Sequence, residues 1–191
     1  MRLFATFRDD RTLLRRSAAF ADSLMAEPAE SEVAWLAEKA TRGDVDHAQW
    51  ELRYLRRALG ILVAQRDALD DRTPSVVLRA LMDRMHRDQN VDEQLRELAE
   101  RQFNARLSAY RDALTSRGHG TPALRVAQNL LAFAGGPIRS DDPVVRHGAT
   151  LVEEAIGRSN AQLRATFGEP ELPEDVRPSE AAVAAAHKAK R

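Results

Sequence analysis

The chain has 191 residues, no cysteine, and 29 basic side chains that balance 29 acidic ones, so its formal net charge is zero. Without cysteine, the protein has no disulfide, no thiolate nucleophile and no cysteine-ligated metal or cluster. A neutral total argues against a nucleic-acid or membrane binder that acts through bulk charge, because such proteins carry a large basic excess. The length suits one domain with a sizeable core, or a domain followed by a tail.

No segment of the sequence approaches the ~20 apolar residues that a membrane-spanning helix needs. Residues 1–7 include a few apolar side chains, but charged residues follow from Arg8 onward, which is too soon for the apolar stretch of a secretory signal. We therefore expect a soluble, cytoplasmic protein without a membrane partner.

Helices are predicted from near the start of the chain, because apolar side chains recur every three or four positions. The first predicted helix spans residues 8–26, and the second spans residues 31–42 with Ser31 as its N-cap. A long helix follows over residues 44–71 and is capped by Asp44. Its apolar stripe continues along almost the whole segment, which is typical of a helix that faces a core.

Proline marks the starts of three later helices. An N-capping oxygen stands directly before a proline at Thr73-Pro74, Thr121-Pro122 and Asp142-Pro143. Proline fits the first helical position because its missing N–H has no helical partner there. The chain therefore continues with alternating short and long helices over residues 73–87, 90–117, 121–134 and 142–167.

The three long helices each contain about 26 residues and extend roughly 40 Å. The stripe of the second one includes Leu95, Leu98 and Leu107, which we expect in the core. Glycine inside the long helices indicates close helix crossings, or a gap that another group fills, at Gly60, Gly148 and Gly157. No segment has a convincing strand pattern, so the sequence predicts an all-α fold: an elongated multi-helix bundle with three long helices and short connecting helices.

Two segments, over residues 44–89 and 90–134, resemble each other near the ends of their long helices. The tetrapeptide Arg-Asp-Ala-Leu occurs at 66–69 and again at 111–114, upstream of a Thr-Pro pair each time. A repeated unit of about 45 residues would fall in the range of α-solenoid repeats. Chance similarity is the favoured explanation, because the chain is rich in alanine, arginine and leucine.

The composition changes after Gly168, so we divide the chain into a helical bundle domain, 1–168, and a tail, 169–191. Residues 169–178 contain four acidic residues and three prolines, which is typical of an extended linker. A short alanine-rich helix with a basic end is predicted after them. Because the tail has too little apolar surface to fold alone, we expect it to dock on a partner. The predicted partner-binding residues are Leu172, Val176 and Val183.

Motifs that carry catalysis are missing from the sequence. It contains no nucleophile-elbow serine, phosphate-binding glycine loop or dinucleotide fingerprint. Asp44, His47 and Glu51 share one helical stripe, and such ligands can hold iron, manganese or zinc within a bundle. However, Asp44 has an ordinary capping role, Glu51 can pair with an arginine, and the Glu-x-x-His motif of di-iron bundles does not occur. We therefore predict no catalytic, cofactor-binding or metal-binding residue.

Arginine is the remaining signal, since only three of the 29 basic residues are lysine. Clusters occur on two predicted helices, at Arg8, Arg11, Arg15 and Arg16 and at Arg53, Arg56 and Arg57. Guanidinium groups suit phosphate, but they equally suit carboxylates across a protein interface. Nucleic acid is a possible but not a favoured partner, because acidic residues interleave these clusters and aromatic residues for stacking are scarce.

The leading hypothesis is a non-enzymatic helical interaction protein, a subunit or adaptor of a larger assembly that binds a protein partner or a second copy of itself. The alternative is a helical-bundle enzyme or carrier that holds a metal or a small apolar ligand between its long helices. A third hypothesis is a small helical nucleic-acid-binding subunit. Fold class alone does not choose among them.

Overall fold

A computed structural model describes residues 2–68, 72–89 and 91–168 of the chain. Within these ranges the protein forms seven α-helices and one short 3-10 helix, and no strand occurs in them. The α-helices, numbered α1 to α7 in chain order, are Arg2–Leu24, Glu30–Lys39, Val45–Asp67, Arg72–His86, Arg96–Thr115, Pro122–Ala134 and Pro143–Phe167. The 3-10 helix covers Glu93–Leu95, directly before α5. The predicted all-α class is confirmed.

The lengths of the helices differ from the sequence prediction. Helix α1 begins at Arg2 and has 23 residues, as many as α3. Helix α5 has only 20 residues, because the chain before it forms the 3-10 helix. With α7 at 25 residues, the described chain has four helices of similar length, where the sequence predicted three long ones with short connectors. The proposed boundary at residue 168 falls at the end of the described ranges and is not tested by them.

Three of the five predicted N-caps are confirmed. The side chains of Asp44, Thr121 and Asp142 each accept a hydrogen bond from a backbone N–H in the first turn of the helix that follows. The prediction was wrong at Ser31, because α2 begins one residue earlier, at Glu30. It was also wrong at Thr73, which lies inside the first turn of α4, where Pro74 is tolerated because first-turn N–H groups lack helical acceptors.

Helix α3 is the centre of the packing and contacts the other α-helices. Its Ala58, Leu59 and Ile61 are fully buried. Around it, α1 packs on α4 and α7, and α6 packs between α5 and α7. A helix surrounded in this way needs apolar or paired side chains on most of its circumference, which explains why nearly all of α3 after Gln49 is buried.

Close helix crossings are confirmed at two of the three glycines that the sequence singled out. A Cβ at Gly60 would overlap the side chain of Leu24, so α1 and α3 approach each other there. A Cβ at Gly148 would lie 3.3 Å from the Cβ of Ala127 on α6. At Gly157 no atom of the neighbouring described residues lies within 4 Å of that position, so a close crossing is not found at this glycine.

Candidate functional site

A groove lies between the N-terminal half of α3 and the start of α5, and we name it the Trp50 groove. Its walls are mostly apolar and its volume is about 170 Å³. The residues that define it are Trp50, Tyr54, Val91, Leu95 and Leu98. A smaller cavity of about 30 Å³ adjoins the groove behind Trp50 and Tyr54.

Leu95 and Leu98 are exposed at the rim of this groove. Their exposed fractions are 53% and 42%, although the sequence predicts both in the core. That prediction was wrong because a helical stripe identifies an apolar face without telling whether another element covers it. Here the 3-10 helix leads directly into α5. The start of the apolar stripe, at Leu95 and Leu98, is left uncovered, whereas its continuation at Phe103 and Leu107 is buried.

The two aromatic residues at the floor of the groove, Trp50 and Tyr54, are positioned by helix α3. Asp44 caps α3, since its Oδ1 accepts the N–H of His47 at 2.9 Å, and the helix then sets Trp50 and Tyr54 on one face, four residues apart. The two rings lie 5.6 Å apart between centroids. The guanidinium of Arg53 stands 4.5 Å above the Trp50 ring, a cation–π distance. Trp50 is thereby held from two sides.

Buried ion pairs support the groove from below. Glu51 is 1% exposed and accepts two hydrogen bonds from Arg106, one of them from Nε to Oε2 at 2.9 Å. Arg106 also lies 4.4 Å from the centre of the Phe133 ring. Arg57, 2% exposed, donates to Asp88 at 3.2 Å. These pairs fix α3 against α5 and against the end of α4.

Electrostatics in this region favour the ordinary protonation states. Burial lowers the pKa of Arg57, and the charge of Asp88 opposes that effect. Burial also acts on Arg106, but the hydrogen bond and the charge of Glu51 leave its pKa raised. Burial raises the pKa of Tyr54. Arginine therefore stays charged and tyrosine neutral near pH 7, so these groups hold the groove together and exchange no protons there.

The stripe of Asp44, His47 and Glu51 is used for structure. Asp44 caps the helix, as predicted, and Glu51 pairs with an arginine, also as predicted. His47 Nε2 lies 3.4 Å from Glu51 Oε1, while both oxygens of that carboxylate are engaged by Arg106. Across the described ranges, no group of three or more histidine, aspartate and glutamate side chains lies close enough to hold a metal ion.

Sequence reasoning missed Arg106, the residue on which the buried pairs depend. Its signal was present, because position 106 lies on the apolar face that Phe103, Leu107 and Tyr110 define. A charged residue on such a face requires a buried partner. The predicted partner-binding residues lie outside the described residues and stay predictions: Leu172, Val176 and Val183.

Comparisons with known proteins add no relative. No protein-family model matches the chain, and neither a curated protein nor a solved structure is similar to it. Among the helices described above, none has both the length and the apolar character needed to cross a membrane.

Proposed function

We propose that the chain is a non-enzymatic helical interaction protein, a subunit or adaptor that binds a partner protein through the Trp50 groove. The observation that supports this function is the pair of exposed leucines, Leu95 and Leu98, beside an aromatic floor. Exposed apolar side chains grouped around an aromatic residue are typical of binding surfaces, whereas single ones are common on any protein.

The size of the groove favours side chains of a partner over a whole small molecule. Small-molecule pockets usually enclose about 300–1,000 Å³. The Trp50 groove has about 170 Å³, which suits two or three apolar side chains. An amphipathic helix presents such side chains at positions i, i+3 and i+4 of one face.

The charges around the groove favour a basic partner. Four acidic side chains are exposed along this edge: Asp92, Glu93, Glu97 and Glu100. Two of them, Glu93 and Glu97, approach arginines three or four residues further along the chain, but only at 3.7 Å, and such exposed pairs contribute little. We therefore propose an amphipathic helix with basic residues beside its apolar face as the occupant.

A photo-crosslinking experiment tests this proposal in the cells that make the protein. A photoreactive amino acid replaces Leu98, and in the control it replaces Ile138, which is also exposed but does not line the groove. We expect an adduct with a partner protein at position 98 and not at position 138. The adduct should disappear with Trp50→Ala, and its attachment point should lie in a basic amphipathic helix.

A synthetic peptide with the crosslinked sequence then allows the affinity to be measured. Leu98→Asp should raise its Kd by about tenfold or more, because replacing an apolar contact residue with a charged one should cost at least about 1.4 kcal/mol. Ile138→Asp should leave the Kd unchanged. Equal crosslinking at both positions, an adduct with a second copy, or an adduct with residues 169–191 of the same chain would overturn the proposal.

A further inference from the structure

We infer that the chain also binds an anionic amphiphile, an acid group on a hydrocarbon chain, in a second cavity far from the Trp50 groove. This cavity, which we name the Arg111 pocket, lies where the C-terminal half of α3 meets α5, α6 and α7. Its volume is about 360 Å³. That volume falls within the usual range for small-molecule sites, about 300–1,000 Å³.

The wall of the Arg111 pocket is apolar and belongs to the protein core. Leu59, Leu62 and Val63 of α3 are all buried, and Leu114 of α5 and Ile156 of α7 complete the wall. Because these side chains come from three packed helices, the shape of the wall is fixed by the fold. A hydrocarbon chain placed against it would lose its contact with water, which favours binding.

The charged residues that line the Arg111 pocket are both cations, Arg66 and Arg111. Arg66 is already engaged by Asp67, with Nε to Oδ1 at 2.8 Å and Nη2 to Oδ2 at 2.7 Å. The guanidinium of Arg111 has no hydrogen-bond or ion-pair partner among the described residues, and this side chain is exposed. A free guanidinium beside an apolar cavity suits a carboxylate or a phosphate, which it can bind through two parallel hydrogen bonds.

The two arginines of the pocket occur in the same tetrapeptide, Arg-Asp-Ala-Leu, but differ in their partners. Arg66 is the first residue of one copy and Arg111 is the first residue of the other, and both arginines line the same pocket. In the first copy the aspartate next in sequence neutralises the arginine. In the second copy Asp112 makes no such pair in the described structure, so the positive charge remains available for a ligand.

Competition with a dansyl-labelled fatty acid tests the Arg111 pocket in the full-length chain. The competitors are octanoate and decanoate, both kept below the concentrations at which they form micelles. We expect one site and a Kd that falls about fourfold for each added methylene, because burying a methylene contributes about 0.8 kcal/mol. Decanol, which lacks the acid group, should compete at least about tenfold more weakly, as expected for the loss of a charge-assisted hydrogen bond.

Variants of the residues that line the Arg111 pocket test whether decanoate binds there. Arg111→Gln should raise the Kd of decanoate about tenfold, and Arg111→Lys should restore part of the affinity. The control is Arg101→Gln on the same helix, because Arg101 is exposed but does not line the cavity. Ile156→Trp should fill the cavity and abolish binding. Circular dichroism of each variant shows that the helices are retained.

Vesicles distinguish the two sources of such a ligand. Binding of decanoate without binding to phosphatidylglycerol vesicles assigns the site to free amphiphiles, and vesicle binding that Arg111→Gln removes assigns it to membrane lipids. Either result supports the inference. The inference would be overturned if octanoate and decanoate had the same Kd, or if Arg111→Gln left the Kd of decanoate unchanged. It would also be overturned if the chain bound neither decanoate nor vesicles.

Discussion

Three buried arginines connect distant parts of the chain through ion pairs. Arg53, Arg57 and Arg106 are each at most 9% exposed, and each forms an ion pair with a carboxylate from a distant part of the chain. The planar guanidinium can satisfy both oxygens of a carboxylate and pack its face on an aromatic ring at once. The lysine ammonium lacks this planar fork, which explains why arginine occupies these three buried positions.

Tyr110 offers a prediction at the same scale. It is fully buried, and its hydroxyl has no hydrogen-bond partner in the described part of the chain. Removing an unpaired buried hydroxyl abolishes its desolvation penalty, so Tyr110→Phe should leave the free energy of unfolding unchanged or raise it by about 1 kcal/mol at pH 7. Urea denaturation of both proteins measures this difference.

The effect of Tyr110→Phe should grow at alkaline pH. Burial raises the pKa of the Tyr110 phenol, whereas in the unfolded chain it ionises near its ordinary pKa of about 10. Above that pH the unfolded state binds fewer protons than the folded one, so the wild type loses up to ~1.4 kcal/mol of stability per pH unit relative to the variant. A constant difference between pH 7 and pH 11 would contradict this assignment.

Between helices α5 and α6, a single side chain, that of Arg125, makes several of the connecting hydrogen bonds. Arg125 of α6 donates to the carbonyl oxygens of Ala113, Ser116, Gly118 and Gly120, and so ties the end of α5 and the loop after it to α6. The carbonyls at a helix end lack helical donors, and a guanidinium satisfies several of them together. These contacts fix the loop that precedes the Arg111 pocket residue Pro122.

Replacing each of two glycines with alanine should change the free energy of unfolding in opposite directions, because only one of the glycines lies at a helix crossing. Gly157→Ala on α7 meets no side chain among the described residues and should stabilise the protein by up to about 1 kcal/mol through helix propensity. Gly60→Ala on α3 overlaps Leu24, and forcing a buried side chain to repack costs about 1–3 kcal/mol. That cost exceeds the gain in propensity, so Gly60→Ala should lower the free energy of unfolding in a urea titration.

The background variant Leu24→Ala tests the cause of that cost. Without the leucine side chain, the overlap at position 60 disappears, so adding Gly60→Ala should then stabilise the protein, as Gly157→Ala does in the wild type. If Gly60→Ala remains destabilising in the Leu24→Ala background, the contact between α1 and α3 is not what requires glycine.

For the whole molecule, the helix class follows from the sequence because period and caps are local properties. Asp44, Thr121 and Asp142 show this, since each caps the predicted helix. The candidate site depends on what covers a helix face, which is a non-local property. Leu95 and Leu98 therefore looked like core residues. The Glu51–Arg106 pair joins positions 55 residues apart and could not be assigned from spacing alone.

The last prediction concerns the relation of the tail, 169–191, to the bundle domain. The described helices already share one core, in which α3 packs on its neighbours. Deleting residues 169–191 should therefore leave the helical circular dichroism signal and the melting temperature nearly unchanged. The deletion should instead weaken association with a partner or a second copy, measured as solution mass by sedimentation, because the tail's composition suits folding only on contact. If the shortened chain unfolds or is insoluble, the tail belongs to the core and the boundary at residue 168 is wrong.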